Sequence, residues 1–368
     1  MEQTSLIRKR IDSLDLIKAV AVFLMLVYHG FTSPVFSGAA DGILNYFNYF
    51  FEGLLSVCVP LFFIVNGGLL LNKPLDIGKH IKKTVLIIIV TAIWDVIDIA
   101  ANMFLRNEML SAMQFVKALW TFKYGWSNHL WFMMTLVVVY IFFPVLKAAY
   151  DSSIKSFYFF TAVIFIMTFG NTLLNMFAQI VQFILGKNFI ENNFNFFNTL
   201  NPAYGFNGYA LVYFMLGGLL VKNREKFLNN KKFTAISAVA IPVSAVLLLL
   251  YAIMQTKHFS KPWDIVWSGY DSLPTLVISV AIFIICQGYR AERKTKISKF
   301  ICILSTDTLG IYLVQTVMIR VLKPAYIKTG LSGNIISDLF FAFVLLIVCL
   351  IITELLKKIP VIRKLVSF

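Results

Sequence analysis

Ten mostly apolar runs of about twenty residues recur along this chain of 368 residues, and they limit what it can fold into. They fall at roughly 12–32, 44–71, 80–101, 129–147, 156–174, 204–221, 233–254, 272–289, 300–321 and 335–356. As a helix, a run of that length rises far enough to cross a hydrocarbon core of about 30 Å. Most of the runs lack the polar face that a soluble helical protein would turn to water. Composition agrees. The chain is 59% hydrophobic and 14% charged, where a soluble domain carries about a quarter charged residues. Its mean hydropathy is +0.79. The expectation is an all-α, polytopic transmembrane bundle of about ten spans, forming one integral-membrane domain over 1–368 with no soluble extracytoplasmic domain. The first run follows Arg8, Lys9 and Arg10 but is long, is interrupted by ionisable groups and lacks a small-residue cleavage site. It therefore reads as a retained span rather than a signal peptide. The stretch "NMFAQIVQFILGKNFI", 175–190, reads as a re-entrant or surface helix, because its apolar part is too short to span alone.

Charge orients the bundle. With the N-terminus inside, 23 of the 33 Lys and Arg residues fall in the inner segments and 9 in the outer ones. That asymmetry predicts both termini in the cytoplasm and an even number of spans. The net charge of +15 resides in short loops that meet anionic lipid heads, so it implies membrane lipids as partners and no nucleic acid. Cys58, Cys286, Cys302 and Cys349 lie in apolar runs at scattered spacing and form no metal or disulfide pattern. His80, among lysines, reads as part of a solvated face, and His258 as part of an outer loop.

The first run, "LDLIKAVAVFLMLVYHG", carries Asp15, Lys18 and His29. At about 100° per residue, the eleven steps from Lys18 to His29 end about 20° from where they began, and about 16 Å along the axis. Asp15 lies one turn before Lys18 on nearly the same face and can pair with it. One stripe therefore holds a carboxylate, an ammonium and an imidazole. Each charge in mid-bilayer costs at least about 2.5–3.5 kcal/mol, so such groups face a cavity or one another. An imidazole is also the side chain best suited to take a proton near neutral pH. His129 opens the fourth run, in "NHLWF", and would sit at the same outer mouth as His29. Glu52, Asn66, Trp131, Gln315 and Arg320 join His129 as candidates for substrate contact. For the buried polar groups generally, an inter-helix hydrogen bond competes with a chemical role. Asp95 and Asp98, at i,i+3 in the third run, read as structural. The segment "ENNFNFFNTLNPAYGFNGY" reads either as an aromatic belt with turn-forming Asn and Pro or as a polar, stacking surface for a sugar.

Taken together, these segments resemble the acyltransferase-3 family of integral-membrane O-acyltransferases. "LDLIKAVAVFLMLVYH" resembles the family's first span, in which a cation precedes a His by eleven positions behind an "(L/I)D" pair. "PLFFIVNGGLLL" resembles its "FF(V/I)xSG" stretch, with Asn66 where Ser is usual. "HLWFMMTLVVVYIFFPVL", "YFMLGGLL" and "STDTLGIYLVQ" resemble later segments, with Gln315 where a His is common. The likeness covers nearly the whole chain and is nearest to the members that acetylate surface polysaccharides. It implies transfer of an acyl group, usually acetyl, from cytoplasmic acyl-CoA to a hydroxyl of a cell-surface or lipid-linked glycan, in the bacterial cytoplasmic membrane. Acyl-CoA would be a co-substrate, with no bound cofactor and no metal. His29 would be base or acyl carrier, and Lys18 and Asp15 would organise the donor side. The competing reading is a transporter or flippase of envelope glycan precursors that uses the same stripe as a permeation path.

Overall fold

A computed structural model describes residues 10–32, 43–186, 193–203, 205, 207–228, 230–259, 263–290 and 295–367. The basic start at Arg8 and Lys9 lies outside them. Every regular element among the described residues is helical. In chain order these are α1 (Asp12–Gly30), α2 (Ile43–Leu55), α3 (Cys58–Leu71), α4 (Ile77–Arg106), α5 (Ala112–Thr121), α6 (Trp131–Ser152), α7 (Ile154–Phe165) and α8 (Asn171–Leu185). Then follow α9 (Phe196–Leu200), α10 (Gly208–Lys222), α11 (Lys231–Phe259), α12 (Ile265–Ser268), α13 (Leu273–Cys286), α14 (Lys296–Lys328), α15 (Ile335–Lys357) and α16 (Pro360–Val366).

Among the described residues, eight helical stretches are long and apolar enough to cross a membrane: α1, α2 with α3, α4, α6, α7 with α8, α11, α14 and α15. Two shorter apolar helices, α10 and α13, supply the sixth and eighth of the ten expected spans. The chain is thus an all-α, multi-pass membrane bundle. Its periphery fits that setting. Ile81, Val85, Ile88, Ile89 and Val96 form an exposed apolar stripe on α4, and Ile236, Val239, Val243, Val246, Leu247 and Leu250 form one on α11. Apolar surface on that scale is stable against lipid, not water.

The tightest packing joins α3 to α10. Each contributes a Gly pair, Gly67–Gly68 and Gly217–Gly218. A Cβ at Gly67 would lie 1.7 Å from the Phe214 carbonyl oxygen, and one at Gly217 would lie 2.0 Å from that of Ile64. Only hydrogen fits where the two backbones meet. Asn72 Nδ2 then reaches across to the Gly218 carbonyl at 3.0 Å, a polar tie of the kind that joins helices in lipid. Helix α1 lies against α3, α14 and α15 in the middle of the bundle.

Three expectations need correction. The stretch from 175 onward is not a separate re-entrant helix as far as it is described. It continues the fifth span, because α7 runs through a π-helical turn, Ile166–Gly170, straight into α8, which ends at Leu185. His258 falls on the last turn of α11 rather than in a loop, with its side chain outside the described residues. His80 is not solvated. It is 9% exposed, and its Nε2 lies 2.8 Å from the carbonyl oxygen of Tyr140. The cause is Pro144 inside α6, which has no N–H to offer the carbonyl four residues before it. His80 donates that missing hydrogen bond.

Candidate functional site

Five helices, α3, α4, α6, α12 and α14, converge on the stripe of α1. A cavity of about 500 Å³ runs beside it from Lys18 to His29. At its first end it is lined by Arg10, Asp15 and Lys18 from the start of α1, Lys73 from just after α3, Lys83 from α4, and Ser305 and Thr306 from α14. At its other end it is lined by Tyr28, His29, His129, Trp131, Trp267, Tyr270 and Tyr312. Asn66 and Tyr140 line the stretch between, where Tyr140 Oη lies 3.5 Å from Asn66 Oδ1. The cavity therefore joins a cluster of four cations to a pair of imidazoles in one continuous space.

At the cationic end Asp15 is held by two partners, and Lys18 is neither of them. Arg10 pairs with Asp15 Oδ2, and Ser305 donates its hydroxyl to Oδ1 at 2.5 Å. The hydrogen bond that Arg10 donates to Asp15 raises the Arg10 pKa above its ordinary value, so this guanidinium stays charged. The expected i,i+3 pair on α1 gives way to a cross-helix one because Ser305 of α14 and Arg10 both approach the same carboxylate. Lys18 is left facing the cavity.

At the imidazole end, His29 Nδ1 lies 2.9 Å from Gln315 Oε1 on α14. An amide oxygen only accepts, so Nδ1 carries the proton and Nε2 keeps its lone pair. Tyr28, the next residue, donates to Asp264 Oδ2 at 2.7 Å. Asp264 Oδ1 in turn caps α12 by accepting from the Trp267 amide at 2.8 Å. This ties the end of α1 to the aromatic wall, where the Trp131 and Trp267 rings meet edge-on at 5.2 Å.

His129 is set from behind. Its Nε2 lies 3.5 Å from Asp98 Oδ2, a side chain with no exposed surface. Its carbonyl accepts from the Tyr312 hydroxyl at 2.5 Å. Arg320 does not line the cavity. Its guanidinium donates to the carbonyls of Gly125 and, at 3.1 Å, Trp126, and so fixes the turn that leads into His129. Glu52 also lies outside the cavity, where its Oε1 accepts from the Ile265 amide at 3.0 Å under α12.

Of the residues singled out from the sequence, the fold thus brings Asp15, Lys18, His29, Asn66, His129 and Trp131 to one cavity. Gln315 stands directly behind it, and Glu52 and Arg320 brace its walls. Sequence reading missed Arg10, Lys73, Lys83, Tyr140, Trp267, Tyr270 and Tyr312. It also placed Asp98 with the structural groups, although Asp98 backs His129. No cluster of His, Cys, Asp and Glu fit to hold a metal occurs among the described residues.

No curated protein and no solved structure matches the chain. Residues 11–354 match the model of an acyltransferase domain, which takes in every helix that shapes the cavity. With that match across most of its length, the chain belongs to the acyltransferase-3 family of integral-membrane acyltransferases.

Proposed function

We propose that the protein moves an acyl group, acetyl by default, from cytoplasmic acyl-CoA to a hydroxyl of a cell-surface or lipid-linked glycan in the bacterial inner membrane. The observation that carries this reading is the single cavity joining Arg10, Lys18, Lys73 and Lys83 to His29 and His129. Cations at one mouth suit the phosphates of a CoA donor. The stretch beyond them is lined by Phe62, Phe132 and Tyr140, an apolar, aromatic path suited to a thioester arm. Lys18 and His29 stand about 16 Å apart along α1, about half of a ~30 Å hydrocarbon core, so donor and acceptor can enter from opposite faces.

The chemistry follows from the His29 tautomer. With Nδ1–H directed at Gln315, Nε2 takes the proton of an acceptor hydroxyl as its oxygen bonds to the acyl carbon. The carbon–sulfur bond then breaks, and the departing CoA thiolate receives that proton from the imidazolium. A variant route passes the acyl group through His29 Nε2 itself.

The test is acyl transfer by purified protein. His29→Ala should lower transfer by about 10²–10⁴-fold, the usual worth of a positioned base, in a protein that still binds acyl-CoA. Lys18→Ala should raise the donor KM, with Lys18→Arg retaining more activity. Wild-type turnover in a monodisperse His29→Ala protein would overturn the assignment of His29, and no transfer by the wild-type protein would favour transport.

A further inference from the structure

A second cavity, of about 650 Å³, lies beside the first and has a different chemistry. Its lining is dominated by amides: Asn171, Asn175 and Gln179 of α8, Asn193, Asn195 and Asn198 around α9, and Gln255 of α11. Tyr251, Trp263 and Phe194 add ring faces, and Asp271 is its one carboxylate. Among the described residues, no Lys, Arg or His lines it, in contrast to the first cavity. Its size falls within the range of about 300–1,000 Å³ common for small-molecule sites.

The amides are fixed in place. Asn175 Nδ2 donates to the Phe194 carbonyl at 2.8 Å while its Oδ1 accepts from the Phe194 amide at 2.6 Å. Gln179 Nε2 donates to Asn193 Oδ1 at 3.0 Å, and Gln255 Nε2 to the Tyr251 hydroxyl at 2.8 Å. The Tyr251 and Trp263 rings pack edge-on at 5.0 Å. One group in this set stands unsatisfied. Asn171 is 5% exposed, and its Oδ1 has no hydrogen-bond partner among the described residues. A buried acceptor left open costs about 1–3 kcal/mol, so a site that keeps one is set up for a donor from elsewhere. The π-helical turn Ile166–Gly170 directly precedes Asn171, and such turns recur at functional sites.

The two cavities share a wall. In the segment from Trp263 to Ser272, Trp267 and Tyr270 line the first cavity, and Trp263, Ser268, Asp271 and Ser272 line the second. The same segment holds Asp264, the partner of Tyr28 beside His29. Fixed amides with both donor and acceptor atoms, ring faces and no cation among the described residues match an uncharged molecule rich in hydroxyls. Asp271, the one carboxylate among the described lining residues, would repel a phosphate or an acidic sugar, and no described cation there would offset that charge.

We infer that this amide cavity binds an uncharged sugar residue of the acceptor chain, next to the one whose hydroxyl reaches His29. The inference rests on the proposed function and gives its acceptor a binding site and a charge class. Two exposed residues on the cavity lining allow it to be filled without disturbing the core, namely Asn195 and Ser268.

The experiment uses the full-length purified protein, radiolabelled acetyl-CoA, and envelope glycan from cells lacking the protein, separated into neutral and anionic fractions. Wild type should transfer label to the neutral fraction. Ser268→Trp and Asn195→Trp should each raise the acceptor KM about tenfold or more and lower the label transferred per CoA released. Wild-type acceptor KM in both variants, or label confined to the anionic fraction, would overturn the inference and leave the proposed function standing. No label in any fraction with wild type would overturn the proposed function. In that case, binding of the fluorescently tagged neutral fraction by wild type, and its loss in Ser268→Trp, would still support the cavity as a saccharide site, and equal binding by both would refute it.

Discussion

A histidine is useful as a base only if one nitrogen is kept free, and here the partner that decides this is an amide. Gln315 is fully buried on α14 and faces His29 Nδ1. A Gln315→Leu substitution removes the acceptor, leaves the tautomer unassigned and should lower kcat about tenfold or more. Gln315→Glu keeps an oxygen in place and should retain more of the rate. The readout that separates positioning from mere packing is the pH profile, whose acidic limb, where the His29 base becomes protonated, should move in the Leu variant. An unchanged profile and kcat in Gln315→Leu would remove Gln315 from the mechanism. The stripe of Asp15, Lys18 and His29 was legible in the sequence because helical period alone puts all three on one face. The His129–Asp98 contact was not, since it joins different helices. Their rotation about their own axes is hard to read when apolar residues surround them on nearly every side.

At the scale of elements, the α3–α10 contact carries the sharpest constraint. A methyl at Gly217 would press on the backbone carbonyl of Ile64, which cannot rotate away as a side chain could. Gly217→Ala should therefore cost about 1–3 kcal/mol or more and lower the yield of monodisperse protein. Gly288→Ala, where the nearest atom is 3.9 Å away, should leave thermal stability close to wild type. Equal melting of the two variants would contradict the close approach. The positions of the spans were readable from apolar runs, but their ends were not. Helix α4 was expected over 80–101 and runs Ile77–Arg106. Helix α14 was expected over 300–321 and runs Lys296–Lys328. Apolar runs stop where polarity begins, whereas these helices start where a side chain caps them. Asp76 accepts from the Lys79 amide at 3.0 Å, and Thr295 accepts from that of Ser298 at 3.2 Å.

For the whole molecule, the eight helices among the described residues that are long and apolar enough to span make an even number, with or without the pair of short ones, and an even number would return the chain to the side it started from. With the basic loops inside, Lys226 and the segment around it face the cytoplasm. A single cysteine at position 226 should resist a membrane-impermeant thiol reagent in intact cells and react after permeabilisation. Strong labelling in intact cells would reverse the orientation. The two mouths of the cavity would then exchange sides, with the cations outward.

The meeting of α3 and α10 also imposes an order on synthesis. Helix α10 has 15 residues, about 22 Å at 1.5 Å per residue, too short to span a ~30 Å core unaided. Most of its side chains are buried against protein rather than lipid. It enters the bilayer as a passenger, received by a neighbour already in place. That neighbour leaves the ribosome roughly 140 residues earlier, which at about 5–20 residues per second is a wait of several seconds or more. During the wait the Gly67–Gly68 face of α3 is open to acyl chains, which α10 must displace when it arrives. Gly217→Ala should weaken this docking step through the same clash with the Ile64 carbonyl, so its defect should show in insertion as well as in the finished fold.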